Sequence, residues 1–315
     1  MASLIIFIAL ILTGLWFGAQ RYPNKALQWT RKLYANWAQV DTLFTPVSGL
    51  KQHAYWRLAP STDKDAPWIV MLHGFSADKT VWCPFARHLP KEYSLLMVDL
   101  TGHGDSEVDD NCQFDMKNQA LRLIKLLDNL GIAECHLVGN SMGGQLTAYM
   151  ATHFAERCLS AYLFNPSGII APKDNAFSRA ILAGRNPFFG ETYAEFEHFY
   201  QQTMAKPPWV PAPILNAIYS YHQKRRPLLK RVFAEFTASH GSFVPKTSCP
   251  TCICWGELDD ILDISALPVW QQHLPQASTR VYTSIGHMPM LECPKLAAAD
   301  YGQFLTYCQF LKSSQ

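Results

Sequence analysis

A serine, an acid and a histidine, far apart in the chain but each set just after an apolar run, are the residues able to do covalent chemistry. Ser141 lies in Gly139-Asn140-Ser141-Met142-Gly143, between the apolar run 135–138 and a helical stretch over 144–157. A strand that turns sharply into a helix around G-x-S-x-G makes a nucleophile elbow. Gly139 and Gly143 leave room where strand and helix approach, and Ser141 is expected in a strained backbone state with its hydroxyl exposed. The helix that follows aims free N–H groups and its positive dipole end at an oxyanion formed there. Gly144, Ala148 and Ala151 are small enough for that helix to lie close on a sheet. The bland alternative is a glycine-rich turn that happens to contain a serine, and the rest of the chain has to decide.

The other two groups supply that decision. Asp259 follows the run 251–255 in Trp255-Gly256-Glu257-Leu258-Asp259, and His287 follows 279–282 in Ser284-Ile285-Gly286-His287. Alone, each has a mundane reading: His287 is one of eleven histidines, and Asp259 is followed by Asp260 and Asp263. Together, at successive strand ends in the order Ser141, Asp259, His287, they have the chain order of an α/β-hydrolase triad. His287 takes the proton from Ser141 and later gives it to the leaving group, while Asp259 fixes the imidazole tautomer. The oxyanion needs two backbone donors. Met142, just after the nucleophile, is one, and Phe75 in His73-Gly74-Phe75 is the natural second. His73 reads as a brace for that loop.

Alternating elements must position these groups. Strands are expected over 52–58, 68–72, 93–98, 135–138, 159–164, 251–255 and 279–282. Helices are expected over 80–89, 119–130, 144–157 and 294–311. This alternation implies a mostly parallel sheet covered by helices on both faces, with ligands bound at the carboxyl ends of the strands. Between 168 and 244 the alternation stops. Helical patterns at 192–204, 212–222 and 228–238 follow one another without strands, around the rigid apolar bend Pro207-Pro208-Trp209-Val210-Pro211. An inserted helical lid over the strand ends is the reading. The domain plan is therefore a core of 41–167 and 245–315 with a lid of 168–244. The basic run Lys224-Arg225-Arg226 reads as a solvated face.

The chain has 315 residues, ample for one large α/β domain with an insertion. A net charge of +2 gives no footprint for nucleic acid. Nine cysteines without regular spacing do not form a disulfide framework. Residues 1–20 carry no charge, and an apolar run of this length is marginal but sufficient to span a bilayer. No basic residue precedes it and its end makes a poor cleavage site, so a retained anchor is favoured over a removed signal or a peripheral helix. Arg21, Lys25, Arg31 and Lys32 then put the bulk of the chain on the cytoplasmic side. Residues 21–40, with Trp29, Tyr34 and Trp37, read as a juxtamembrane helix at the interface. On this expectation the protein meets membrane lipid through its N-terminal helix, and a chain starting near Asp41 keeps its activity on soluble esters.

His73-Gly-Phe, Asp99-x-x-Gly-His-Gly-Asp-Ser, Gly139-Asn-Ser-Met-Gly-Gly, Trp255-Gly-x-x-Asp259 and Gly286-His287-Met-Pro-Met-Leu-Glu resemble the α/β-hydrolase family. The resemblance covers about residues 45–311. Within the family it points to Moraxella-type bacterial lipases and to the animal monoacylglycerol lipase-like α/β-hydrolase domain-containing protein six. It implies serine ester hydrolysis on acylglycerols, without cofactor or metal. Cys249, Cys252 and Cys254 depart from the family, which usually has apolar residues there; they read as core-filling thiols. The main enzymatic alternative is a carbon–carbon bond hydrolase of aromatic ring-cleavage products, with Arg185 a candidate holder of its acidic substrate. The alternative from another class is a non-catalytic binding protein.

Overall fold

The computed structural model describes residues 16–60, 66–238 and 240–314. Within them lies one eight-stranded sheet, in the spatial order β1-β2-β4-β3-β5-β6-β7-β8. Its strands are β1 Asp41–Val47, β2 Leu50–Arg57, β3 Trp68–Leu72, β4 Ser94–Val98, β5 Cys135–Asn140, β6 Cys158–Phe164, β7 Thr251–Gly256 and β8 Ser278–Tyr282. From β4 to β8 every neighbouring pair is parallel, while β2 pairs antiparallel with both β1 and β4. Side chains on a strand alternate between faces, so a sheet covered on both sides needs apolar residues at every position. The central strands meet that need. Val70, Leu72, Leu96 and Leu137 enter the core on one face, and Ile69, Met71, Leu95 and Val138 enter the core on the other.

The first face is covered by α3 Met116–Asn129, α4 Met142–His153 and α8 Ala266–His273; the second by α1 Pro23–Ala38, α2 Cys83–Ala86 and α10 Pro294–Ser313. The remaining helices are α5 Ala176–Leu182, α6 Tyr193–Gln202 and α7 Ala212–Thr237, which belong to the insertion, and the short α9 Pro289–Glu292. The helix expected over 80–89 is a 3-10 turn, Lys79–Trp82, followed by the single turn of α2. Lys79 sends both its N–H and its ammonium to Asp99, which fixes the tight turn.

Two other elements differ from expectation. The patterns at 212–222 and 228–238 form one helix, α7, with Pro227 inside it. Ile214 and Ala217 pack in one cluster and Leu229, Val232 and Phe236 in another, so burial along the whole length outweighs the roughly 3 kcal/mol that an interior proline costs. Strand β1 was not expected. It reaches β2 through Ser48 (φ 53°) and Gly49 (φ 82°), a two-residue hairpin turn, and carries Pro46 at the sheet edge, where a missing N–H is tolerated.

The expected membrane helix is corrected. Residues 1–15 of that stretch lie outside the described residues. Among the described residues no helix is long and apolar enough to cross a membrane. The membrane-anchored localisation and the lipid contact through an N-terminal helix therefore have no support among the described residues. The following segment is also not a free interfacial helix. Ala35, Ala38 and Val40 are buried against the second face of the sheet, and Leu27 packs with Ile214 and Ala217 of α7. Its aromatic, basic composition is that of an interfacial helix, and Trp29 and Trp37 lie on the exposed side of a helix whose other side is docked on protein.

Candidate active site

Strand β5 delivers Ser141 at its carboxyl end with φ 55° and ψ −117°, a conformation costing a non-glycine residue on the order of 1–3 kcal/mol. The neighbouring glycines show why the turn holds. A Cβ on Gly139 would lie 2.1 Å from the Gly143 carbonyl oxygen, and one on Gly143 would lie 2.0 Å from that of Leu72. No side chain fits at either place. Helix α4 starts at Met142, directly after the serine, so its first N–H groups open toward the serine end. The Met142 and Phe75 N–H groups have no acceptor among the described residues.

The Phe75 loop lies against the serine: a Cβ on Gly74 would sit 3.2 Å from both Ser141 Cβ and Asn140 Oδ1. Two buried groups hold that loop. His73 Nδ1–H donates to the Gly74 carbonyl at 2.7 Å, while its Nε2 accepts the Leu100 N–H at 3.0 Å. The two bonds define a neutral tautomer, and burial lowers the imidazole pKa in the same sense. The second hold is ionic. The buried Lys79 ammonium lies 2.5 Å from Asp99 Oδ2 and 2.7 Å from Asp105 Oδ2. Gly104 makes room for this, since a Cβ there would fall 2.0 Å from the Asp99 carboxyl carbon. The loops after β3 and β4 are thus joined by the buried pair Lys79 and Asp99, with Asp105 completing the set from the solvent side.

Asp259 and His287 follow β7 and β8. Their loops touch, with a Gly256 Cβ position only 1.9 Å from the Gly286 carbonyl oxygen. His287 Nδ1 lies 2.7 Å from Asp259 Oδ2; the carboxylate only accepts, so Nδ1 carries the proton. The other oxygen, Oδ1, accepts the N–H groups of Ile261 at 2.8 Å and Leu262 at 2.9 Å. Asp260 is exposed and Asp263 instead accepts the Ser265 N–H, so neither carboxyl joins the imidazole. Ser141 and His287 line one cavity of about 410 Å³, together with Phe75 and aromatic and aliphatic residues of α1, α6 and α7.

Three supports escaped the sequence reading. Asn165, just after β6 and itself at φ 44°, donates Nδ2–H to Asp259 Oδ2 at 2.6 Å. Asn140 donates Nδ2–H to the His287 carbonyl at 3.0 Å. Glu292 Oε1 accepts the Gly286 N–H at 2.9 Å, and its Oε2 accepts the Lys206 N–H at 3.1 Å, joining the histidine loop to the insertion. An asparagine following a strand was the available signal for Asn165, because asparagine tolerates the left-handed region. Cys252 and Cys254 are buried with their sulfurs 3.7 Å apart, and no disulfide links the cysteines. Among the described residues no cluster of ligands is suited to a metal ion.

Comparison with known proteins places this geometry in a wider setting. Residues 67–294 match the family described as alpha/beta hydrolase fold. The chain is 25% identical over 242 residues to Lipase 3 of Moraxella sp. (strain TA144), covering 75% of this chain and 76% of that one. It is 27% identical over 253 residues to the Homo sapiens protein named monoacylglycerol lipase ABHD6, covering 76% of this chain and 75% of the other. Among solved structures, one described as a membrane phospholipase A superposes with a TM-score of 0.84 at 26% identity, over 98% of this chain and 99% of its own.

Proposed function

The chain belongs to the alpha/beta hydrolase fold family, and on that premise we propose that it is a serine hydrolase of carboxylic esters, of the lipase or monoacylglycerol lipase kind, working through an acyl-enzyme on Ser141. The observation that carries this reading is the imidazole of His287. Its Nδ1–H is committed to Asp259 at 2.7 Å, which leaves Nε2 as the free base in a cavity shared with Ser141. In acylation Nε2 takes the Ser141 proton as Oγ bonds to the ester carbonyl carbon, and the carbonyl π electrons move onto oxygen. The Phe75 and Met142 N–H groups receive that oxyanion. Its collapse expels the alcohol with the proton from His287 and leaves Ser141 acylated. A water, deprotonated by the same imidazole, attacks the acyl carbon, releases the acid and restores the serine. Every proton is carried by protein or water, so the steps need no cofactor.

The cavity walls suit an acyl chain, and the relatives named lipases support an ester as the substrate. Against a carbon–carbon bond hydrolase stands the position of Arg185, which is exposed and does not line the cavity. Against a non-catalytic role stands the retention of all three triad residues. A serine-directed fluorophosphonate is expected to label the wild type and not Ser141→Ala. Ester hydrolysis should fall about 10³-fold or more in Ser141→Ala and in His287→Ala, because the triad acts as a unit. Near-full activity in either variant would remove the assignment.

A further inference from the structure

The cavity beside Ser141 is apolar over most of its wall, so its few polar groups decide what the non-acyl end of a substrate can be. Among the described residues Arg31 of α1 is the only lysine or arginine that lines it. Arg31 is already occupied. Its guanidinium lies 2.5 Å from Asp78 and 3.5 Å from Asp105, and it stacks over the Tyr221 ring at 5.3 Å. An arginine that satisfies two carboxylates offers no net positive field to a phosphate or carboxylate on the substrate. An anionic headgroup entering here would meet Asp78 as well.

His222 of α7 lines the same cavity and stands differently. Its ring packs against Phe196 at 5.6 Å and Tyr221 at 6.1 Å. Neither ring nitrogen has a hydrogen-bond partner among the described residues, and the half-buried ring leaves both nitrogens accessible from the cavity. Burial lowers its pKa to about 4, so the ring is neutral at ordinary pH. A neutral imidazole presents one donor and one acceptor, the pairing that a hydroxyl group answers. We propose that His222 reads the leaving group of the ester by hydrogen bonding, and that the site selects esters of uncharged, hydroxyl-bearing alcohols over esters that carry a phosphate. This assignment rests on the ester-hydrolase reading and adds to it a selectivity residue on the inserted helices.

The test uses three substrates with one acyl chain: a monoacylglycerol, the methyl ester, and the monoacylglycerol phosphate. For the wild type, kcat/KM on the monoacylglycerol should exceed that on the phosphate-bearing ester by about tenfold or more. His222→Phe keeps the ring volume and removes both polar nitrogens. It should lower the ratio of kcat/KM for monoacylglycerol over methyl ester by about tenfold, the scale of one lost hydrogen bond. His222→Gln restores a donor and an acceptor and should recover most of that ratio. Thermal melts of both variants identify any loss due to misfolding, which would lower the two rates together and leave the ratio in place. A ratio unchanged in well-folded His222→Phe overturns the role of His222 while leaving the hydrolase reading intact. Equal wild-type rates on the phosphate-bearing ester overturn the charge argument, and no turnover of any ester overturns both readings.

Discussion

Asp259 receives four hydrogen bonds, two on each carboxylate oxygen, from His287, Asn165 and the Ile261 and Leu262 N–H groups. That set fills the lone pairs of a carboxylate and holds it in one orientation. The neighbouring Asp260 is exposed, and only its carbonyl is used, accepting Asn175 Nδ2–H at 3.0 Å. The two residues are therefore distinguishable by rate. Asp259→Asn should cost about 10³-fold or more in kcat, because an amide there no longer selects the required tautomer of His287. Asp260→Asn should stay within about twofold. Kinetics on one soluble ester settle the choice, and a collapse in Asp260→Asn alone would reassign the acid. Asp259 was legible in the sequence since a strand pattern ended just before it. Asn165 and His222 were not. The carboxylate that Asn165 meets lies 94 residues away, so a strand-end asparagine signals its backbone state and not its partner, and His222 sits in an aromatic cluster that no local pattern marks.

At the scale of elements, the strands around the site were readable because two-sided burial leaves them as solid apolar runs, broken abruptly by the motif residues. The insertion was readable as helical, but its longest helix hid behind Pro227. That helix α1 docks on protein was not legible, for a physical reason. A helix that docks along one narrow side shows the same mix of aromatic and basic residues as one lying on lipid, and its partners Ile214 and Ala217 come nearly two hundred residues later. The consequence reverses the expectation for a shortened chain. Leu27, Ala35, Ala38 and Val40 are buried, and Leu27, Arg31 and Tyr34 form part of the cavity wall. A chain beginning at Asp41 would open that wall and expose the apolar surface beneath it, with each lost buried side chain worth about 1–3 kcal/mol. It should melt several degrees lower and lose about tenfold or more in kcat/KM even on a short, soluble ester. An unchanged melting temperature together with an unchanged rate would show that α1 is dispensable.

Across the whole molecule, several imidazoles lie where burial disfavours their charged form. His73, His103 and His136 are buried, and desolvation lowers the pKa of each, to about 4 for His136. The half-buried His240, bonded to Gln145 behind the nucleophile helix, is lowered to about 4 as well. The sign follows from proton linkage. The unfolded chain binds protons at these histidines near their ordinary pKa of about 6.5, whereas the native state declines them until the pH is far lower. Each therefore contributes stability that is complete above about pH 6.5 and is lost as the pH falls toward its native value. Within that window each buried imidazole removes up to about 1.4 kcal/mol per pH unit. The carboxylates of Asp78 and Asp105, held below the usual range by Arg31 and Lys79, give up their contribution only at still lower pH. Urea melts between about pH 7.5 and about pH 5.5 should thus show a falling midpoint with an unchanged slope in denaturant. His136 tests the cause individually, because its Nδ1 pairs with Ser160 at 2.8 Å near the start of β5, at the opposite end of the strand from Ser141. Replacing it with glutamine, which does not titrate, should flatten the pH dependence by about one proton. A midpoint that stays level over this range would mean that the buried histidines take up protons without unfolding the chain.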